Sequence, residues 1–130
     1  MAGQKVHAAV NTALAQFNLA LRLRDTSIVE HFHKTAILVG SEQSDLSRGR
    51  EAIAAHLGRI FTRAYTIQFD WKSVEASRAG ETAWFFADGE LVISSAAGDE
   101  RRPYNLTGVL VESKRGWRWR LFHGSEPLPT

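Results

Sequence analysis

The chain reads as an α+β fold, with helices from its first half covering one face of a curved, mostly antiparallel sheet. Three observations predict this. Apolar residues recur at three- and four-residue spacing up to about residue 61, and beyond Tyr65 the period drops to two. The segments of period two are joined by short turns, "RAGE" at 78–81 and "SKRG" at 113–116.

Val6, Val10, Ala13, Leu14, Phe17 and Leu21 form one stripe on a helix expected from about residue 4 to 23. Asp25 is suited to cap a second, short helix carrying Ile28, Val29 and Phe32, since its carboxylate can accept from the first free backbone amides. "TAILVG" reads as a buried strand and "SEQSDLS" as a polar loop. Gly49 then opens a third helix that turns Ile53, Leu57, Ile60 and Phe61 inward.

Tyr65, Ile67, Phe69 and Trp71 alternate with polar residues, whereas Val74 and Ala76 fall out of phase. A β-bulge near Lys72 and Ser73 restores the inward direction and bends the strand. Further strands are expected over about 82–93, 104–113 and 117–123. The face of 82–93 that turns inward is left open by its composition. In the last strand strict alternation groups Trp117, Trp119, Leu121 and His123 on an inner face, leaving Arg118, Arg120 and Phe122 outside.

At 130 residues, with 44% hydrophobic and 23% charged residues, the chain is the size of one domain and is read as a single one, 1–130. Zero cysteines exclude disulfides, thiolate nucleophiles and cysteine zinc sites. No segment has the length of a signal-peptide core or a membrane span, so a cytoplasmic protein without membrane contact is expected. A net charge of only +2 argues against nucleic acid, despite Arg101, Arg102, Arg115, Arg118 and Arg120. His31 and His33 are two apart, unlike the i, i+4 pair of a zinc helix, and no phosphate loop or serine elbow occurs; neither metal nor cofactor is expected.

The segments "ALAQFNLALRLRD", "RGREAI" and "LTGVLVESKRGWRWRLFHGSEP", with this element order, resemble the SnoaL-like branch of the nuclear transport factor 2-like superfamily from Val10 to Pro127. The resemblance implies a cone: a curved sheet around three helices, enclosing a pocket. It also implies a ketosteroid isomerase-like relative, an enzyme that uses a tyrosine, an aspartate base and a protonated aspartic acid. Phe17, Gly40 and Thr107 stand at the matching positions, and none of the three supplies the required group.

The candidate chemistry therefore falls elsewhere. His123, ending the inner row, is the candidate general base or acid, or else it locks the turn at Gly124 and Ser125. Asp88, in phase with Trp84 and Phe86, is its candidate carboxylate partner. Phe17, Glu42, Tyr65, Trp84, Phe86, Asn105, Thr107 and Trp119 are the candidate ligand-binding residues. The expected protein is a cofactor-free isomerase, cyclase or hydrolase-like enzyme acting on an apolar or aromatic small molecule. The alternative is a ligand-binding or self-assembling module without catalysis. A homodimer through the outer sheet face is expected, with Leu106, Leu110 and Phe122 as its apolar contacts.

Overall fold

In a computed structural model of the chain, residues 2–42 and 45–129 are described, which leaves Gln43 and Ser44 of the polar loop outside the described residues. Helix α1 (Ala2–Leu23) is followed by a 3-10 helix (Thr26–His31), strands β1 (Phe32–Val39) and β2 (Leu46–Arg48), and helix α2 (Gly49–Phe61). Four long strands complete the order: β3 (Thr66–Ala79), β4 (Thr82–Ser95), β5 (Gly98–Ser113) and β6 (Gly116–Ser125). They form one six-stranded sheet in the order β2-β1-β6-β5-β4-β3. The predicted cap is present: Asp25 Oδ1 accepts from the Ser27 N–H at 3.0 Å.

The stripe on α1 is buried as expected, from Val6 through Val10, Leu14 and Phe17 to Leu21. Its rings and methyls meet Phe32, Phe85, Leu106, Leu110, Trp119 and Phe122 from the concave side of the sheet. Phe17 lies at the centre, 4.7 Å from Phe122 and 6.3 Å from both Phe32 and Trp119 between ring centroids. Asn18 fastens the helix to β3, donating to the Phe69 carbonyl and accepting from the Phe69 N–H, both at 2.8 Å. The bulge in β3 falls between Trp71 and Ser73, where the register against β4 shifts.

In β4 the structure settles the face that composition leaves open, with the candidate residues on the outside, and in β6 it departs from the expected phase. In β4 the small Ala83 and Ala87 and the ring of Phe85 turn inward, and Trp84, Phe86 and Asp88 turn out. Both faces of this strand carry aromatic residues, so alternation alone names no inner face; the crowded concave side admits two alanines where tryptophan would not fit. In β6 a register shift places Leu110 opposite Trp119 but Val109 opposite Leu121, leaving Arg120 as the extra residue. The bulge reverses the phase behind it. Trp119 and Phe122 are both buried in the core, and Leu121 and His123 lie outside. Leu106 and Leu110 are likewise fully buried, which removes all three apolar residues assigned to the outer face.

The only parallel pairing among the described strands joins β1 to β6, and it is irregular: Phe32 pairs with Trp119, yet Ile37 pairs with Leu121. Backbone carbonyls around this excursion are taken up by arginines. Arg50 Nε donates to the Phe32 carbonyl at 2.7 Å, Arg120 to that of Thr35 at 2.7 Å, and Arg118 to that of Glu30. The arginines alternating with tryptophan thus bind this chain's own backbone.

Candidate functional site

Between α1, α2 and the concave sheet lies a cavity of about 370 Å³. Its wall is apolar: Phe17 and Leu21 from α1, Leu38 from β1, Leu57 and Ile60 from α2, Ile67 and Phe69 from β3, and Phe122 from β6. Polar residues gather among the same lining: Ser41, Glu42, Asp45, His56, Arg63, Tyr65, Glu100, Arg102, Tyr104 and Glu126.

His56 faces inward because it stands three residues after Ile53 and one before Leu57 on the buried side of α2. Its side chain is buried, and its Nδ1 lies 3.9 Å from Asp45 Oδ1, within charge contact but too far for a hydrogen bond. Burial pushes the imidazole below its ordinary pKa, and Asp45 opposes that shift. Arg59 and Arg63 lower it further, so the neutral, proton-accepting form is favoured.

Asp45 reaches this place through its loop. Its carbonyl accepts from the Gly40 N–H at 2.8 Å, its N–H donates to the Glu42 carbonyl at 3.0 Å, and its Oδ2 accepts from the Glu42 N–H at 3.1 Å. A Cβ on Gly40 would stand 2.5 Å from Asp45 Oδ2, so the carboxylate fills space that only glycine leaves empty.

Tyr104 comes up from the inner face of β5, and its hydroxyl lies where a Cβ on Gly124 would be, 1.9 Å from that point. Burial pushes its phenol up to about 12, a shift that a hydrogen bond with Ser41 partly offsets. It is a permanent donor at neutral pH. Ser41 in turn donates to Glu126 at 2.8 Å, and Glu126 lies 3.6 Å from Arg102, which also holds Glu100 through two contacts of 3.2 and 3.3 Å.

Of the candidate residues, Phe17, Glu42 and Tyr65 line this cavity. Trp119 is buried behind Phe17 and Phe122 without lining it. The others stand on the outer face. Trp84 and Phe86 are exposed there, Thr107 donates to the carbonyl of exposed His123 at 3.3 Å, and Asp88 pairs across the strands with Asn105. With its amide nitrogen turned to Asp88, Asn105 donates to Asp88 Oδ1 at 3.1 Å. His123 and Asp88 are therefore separated from the cavity by the sheet itself, a consequence of the Arg120 bulge and of the small inner residues of β4.

From sequence, Asp45 reads as a residue of the polar loop beside Glu42, suited to solvation or helix capping, and neither His56 nor Tyr104 stands out. One signal was available for His56: a histidine at the i+3 position from Ile53, on the apolar stripe of its own helix.

An α+β cone with a mixed apolar and titratable cavity defines a class of small pocket proteins. The chain matches the SnoaL-like domain model over residues 10–129, and it belongs to that family. Solved structures share the fold at low identity. A protein from Streptomyces avermitilis, of the NTF2-like family and proposed to be a dehydratase, is 16% identical with a TM-score of 0.85, over 97% of this chain and 99% of its own. An NTF2-like superfamily protein from Salmonella enterica serovar Typhimurium is 14% identical with a TM-score of 0.82, over 98% and 94%. A Catenulispora acidiphila protein in complex with S-DNPA is 14% identical with a TM-score of 0.83, over 95% and 94%. No curated protein matches the chain.

Proposed function

We propose that the protein catalyses proton transfer on a small, largely apolar carbonyl compound, with His56 as general base, Asp45 as its electrostatic partner and Tyr104 as hydrogen-bond donor. The observation that carries this reading is one cavity holding a buried histidine kept neutral, a carboxylate 3.9 Å from it, and a phenol held protonated. Asp45 lies toward Nδ1, which leaves Nε2 to receive a proton from a carbon next to the carbonyl. The imidazolium then formed is stabilised by the Asp45 carboxylate, and the developing enolate oxygen by the Tyr104 hydroxyl, which turns its one proton from Ser41 to that oxygen. Return of the proton to a different carbon gives isomerisation; departure of a β-hydroxyl with that proton gives water and an unsaturated product. Both reactions need no group beyond these side chains. The S-DNPA complex of the Catenulispora protein supports a small-molecule occupant for this type of cavity.

The test is deuterium exchange at the α-carbon of a panel of cyclic and aromatic ketones in D₂O, followed by nuclear magnetic resonance. The native protein is expected to accelerate exchange for some members by at least about a hundredfold, the usual reach of a positioned base. His56→Gln should lose that acceleration while still binding the same ketone. Equal exchange rates in the two proteins, with binding retained, would refute catalysis and leave a ligand-binding module.

A further inference from the structure

Two cations border the cavity, and they are not equivalent. Arg102 is engaged by Glu100 and Glu126. Arg63, just past the end of α2, has no carboxylate within ion-pair distance among the described residues. Its one side-chain hydrogen bond goes from a terminal nitrogen to the Tyr65 hydroxyl at 2.9 Å, and its guanidinium lies 5.7 Å from the centroid of that ring. Tyr65 is a neutral partner. A guanidinium carries five N–H donors, so four remain unused by side chains, on a half-buried group bordering an apolar wall. Desolvating a cation without a counter-charge is unfavourable, and a bound anion relieves that cost.

We propose that Arg63 is the anchor for a single carboxylate on an otherwise apolar, planar ligand of this cavity. The inference rests on the small-molecule reading above and narrows it to a monoanionic substrate. A planar guanidinium with free donors matches a carboxylate in two parallel hydrogen bonds. The remaining lining sets an upper limit on ligand charge: Asp45, Glu42, Glu100 and Glu126 border the same space, so a dianion such as a phosphate monoester would meet more repulsion than Arg63 offsets. Phe17, Ile67, Phe69 and Phe122 supply the surface for the apolar body. Tyr65, pinned by Arg63, then acts as a positioning residue that keeps the guanidinium at the cavity edge.

Isothermal titration calorimetry on the full chain, with 2-naphthoate and its neutral counterpart 2-naphthamide as probes, tests this. The native protein is expected to bind the carboxylate about tenfold or more tightly than the amide. In Arg63→Gln the ratio should fall to within about twofold, and in Arg63→Lys, which keeps the charge but not the fork, it should lie between the two. A ratio near unity in the native protein, or a preference that survives in Arg63→Gln, overturns the anchor and leaves the cavity reading standing. Absence of binding by both probes to the native protein overturns the cavity reading, and the anchor with it. Melting curves on each variant confirm that folded protein is compared.

Discussion

His56 ties the chemistry of the cavity to the stability of the fold. Its folded-state pKa lies below the ordinary histidine value of about 6.5, mainly because burial disfavours the imidazolium. The unfolded chain therefore binds a proton more readily than the folded one as pH falls below that value. The stability associated with neutral His56 is complete above about pH 6.5 and declines as pH falls toward the lowered pKa. The native melting temperature is accordingly expected to drop between pH 7.5 and 5.5 by more than that of His56→Gln, which carries no titrating group there. Scanning calorimetry of both proteins across that range checks it; parallel curves would place the proton sensitivity elsewhere. A single buried side chain thus makes the proposed base and an acid-labile point coincide.

At the scale of the element, the arginines of β6 hold the parallel seam with β1. Ordinary ladder bonds lapse where β1 advances five residues against two of β6, and Arg120 supplies the Thr35 carbonyl with a charged donor at 2.7 Å. Replacing Arg120 with methionine keeps the stem and removes the donor. The expected loss is about 1 to 2 kcal/mol in urea unfolding, the usual worth of a hydrogen bond from a charged group discounted for partial exposure. An unchanged midpoint would show that water serves the carbonyl equally well. The same elements explain what was legible in the sequence. Helix α1, the Asp25 cap and the β3 bulge follow from local period and capping, and each stands where the residues predict it. The faces of β4 and β6 do not follow from period, because Trp84, Phe85 and Phe86 put rings on both sides and the extra residue at Arg120 has no mark of its own. The proposed acid–base pair escapes the sequence for a different reason: Asp45 and His56 share no element, and meet only because the Asp45 carboxylate sits in the space over Gly40.

For the whole molecule, the phase of β4 decides what the outer surface presents. Trp84 and Phe86 remain 47% and 38% exposed, and with Val109 and Leu121 they border a shallow depression on the convex side of the sheet. We propose that a second copy of the chain covers this face, through these residues rather than Leu106, Leu110 and Phe122. Apolar surface of this kind is seldom left to water on a stable monomer. Sedimentation velocity at micromolar concentration should give a dimer for the native chain and a monomer for Trp84→Lys with the melting curve little altered. A native monomer would refute the pairing. On the exposed side of β5, Arg101 meets Asp70 at 3.1 Å and Glu90 at 3.2 Å. No described helix is long and apolar enough to cross a membrane.

The strand order has a consequence for how the protein comes into being. Of the six described strands β6 is the last to be synthesised, yet it lies in the interior of the sheet, between β1 and β5. Until residues 116–125 have left the ribosome, β1 has no neighbour on that side, and Phe17 and Phe32 lack the rings of Trp119 and Phe122. A nascent chain can form α1 and the β3–β4–β5 meander, both of them local, but the cavity stays open until that strand slots between the two halves. Closure of the sheet therefore waits on the β1–β6 pairing, a contact that spans most of the sequence and is slow to form for that reason.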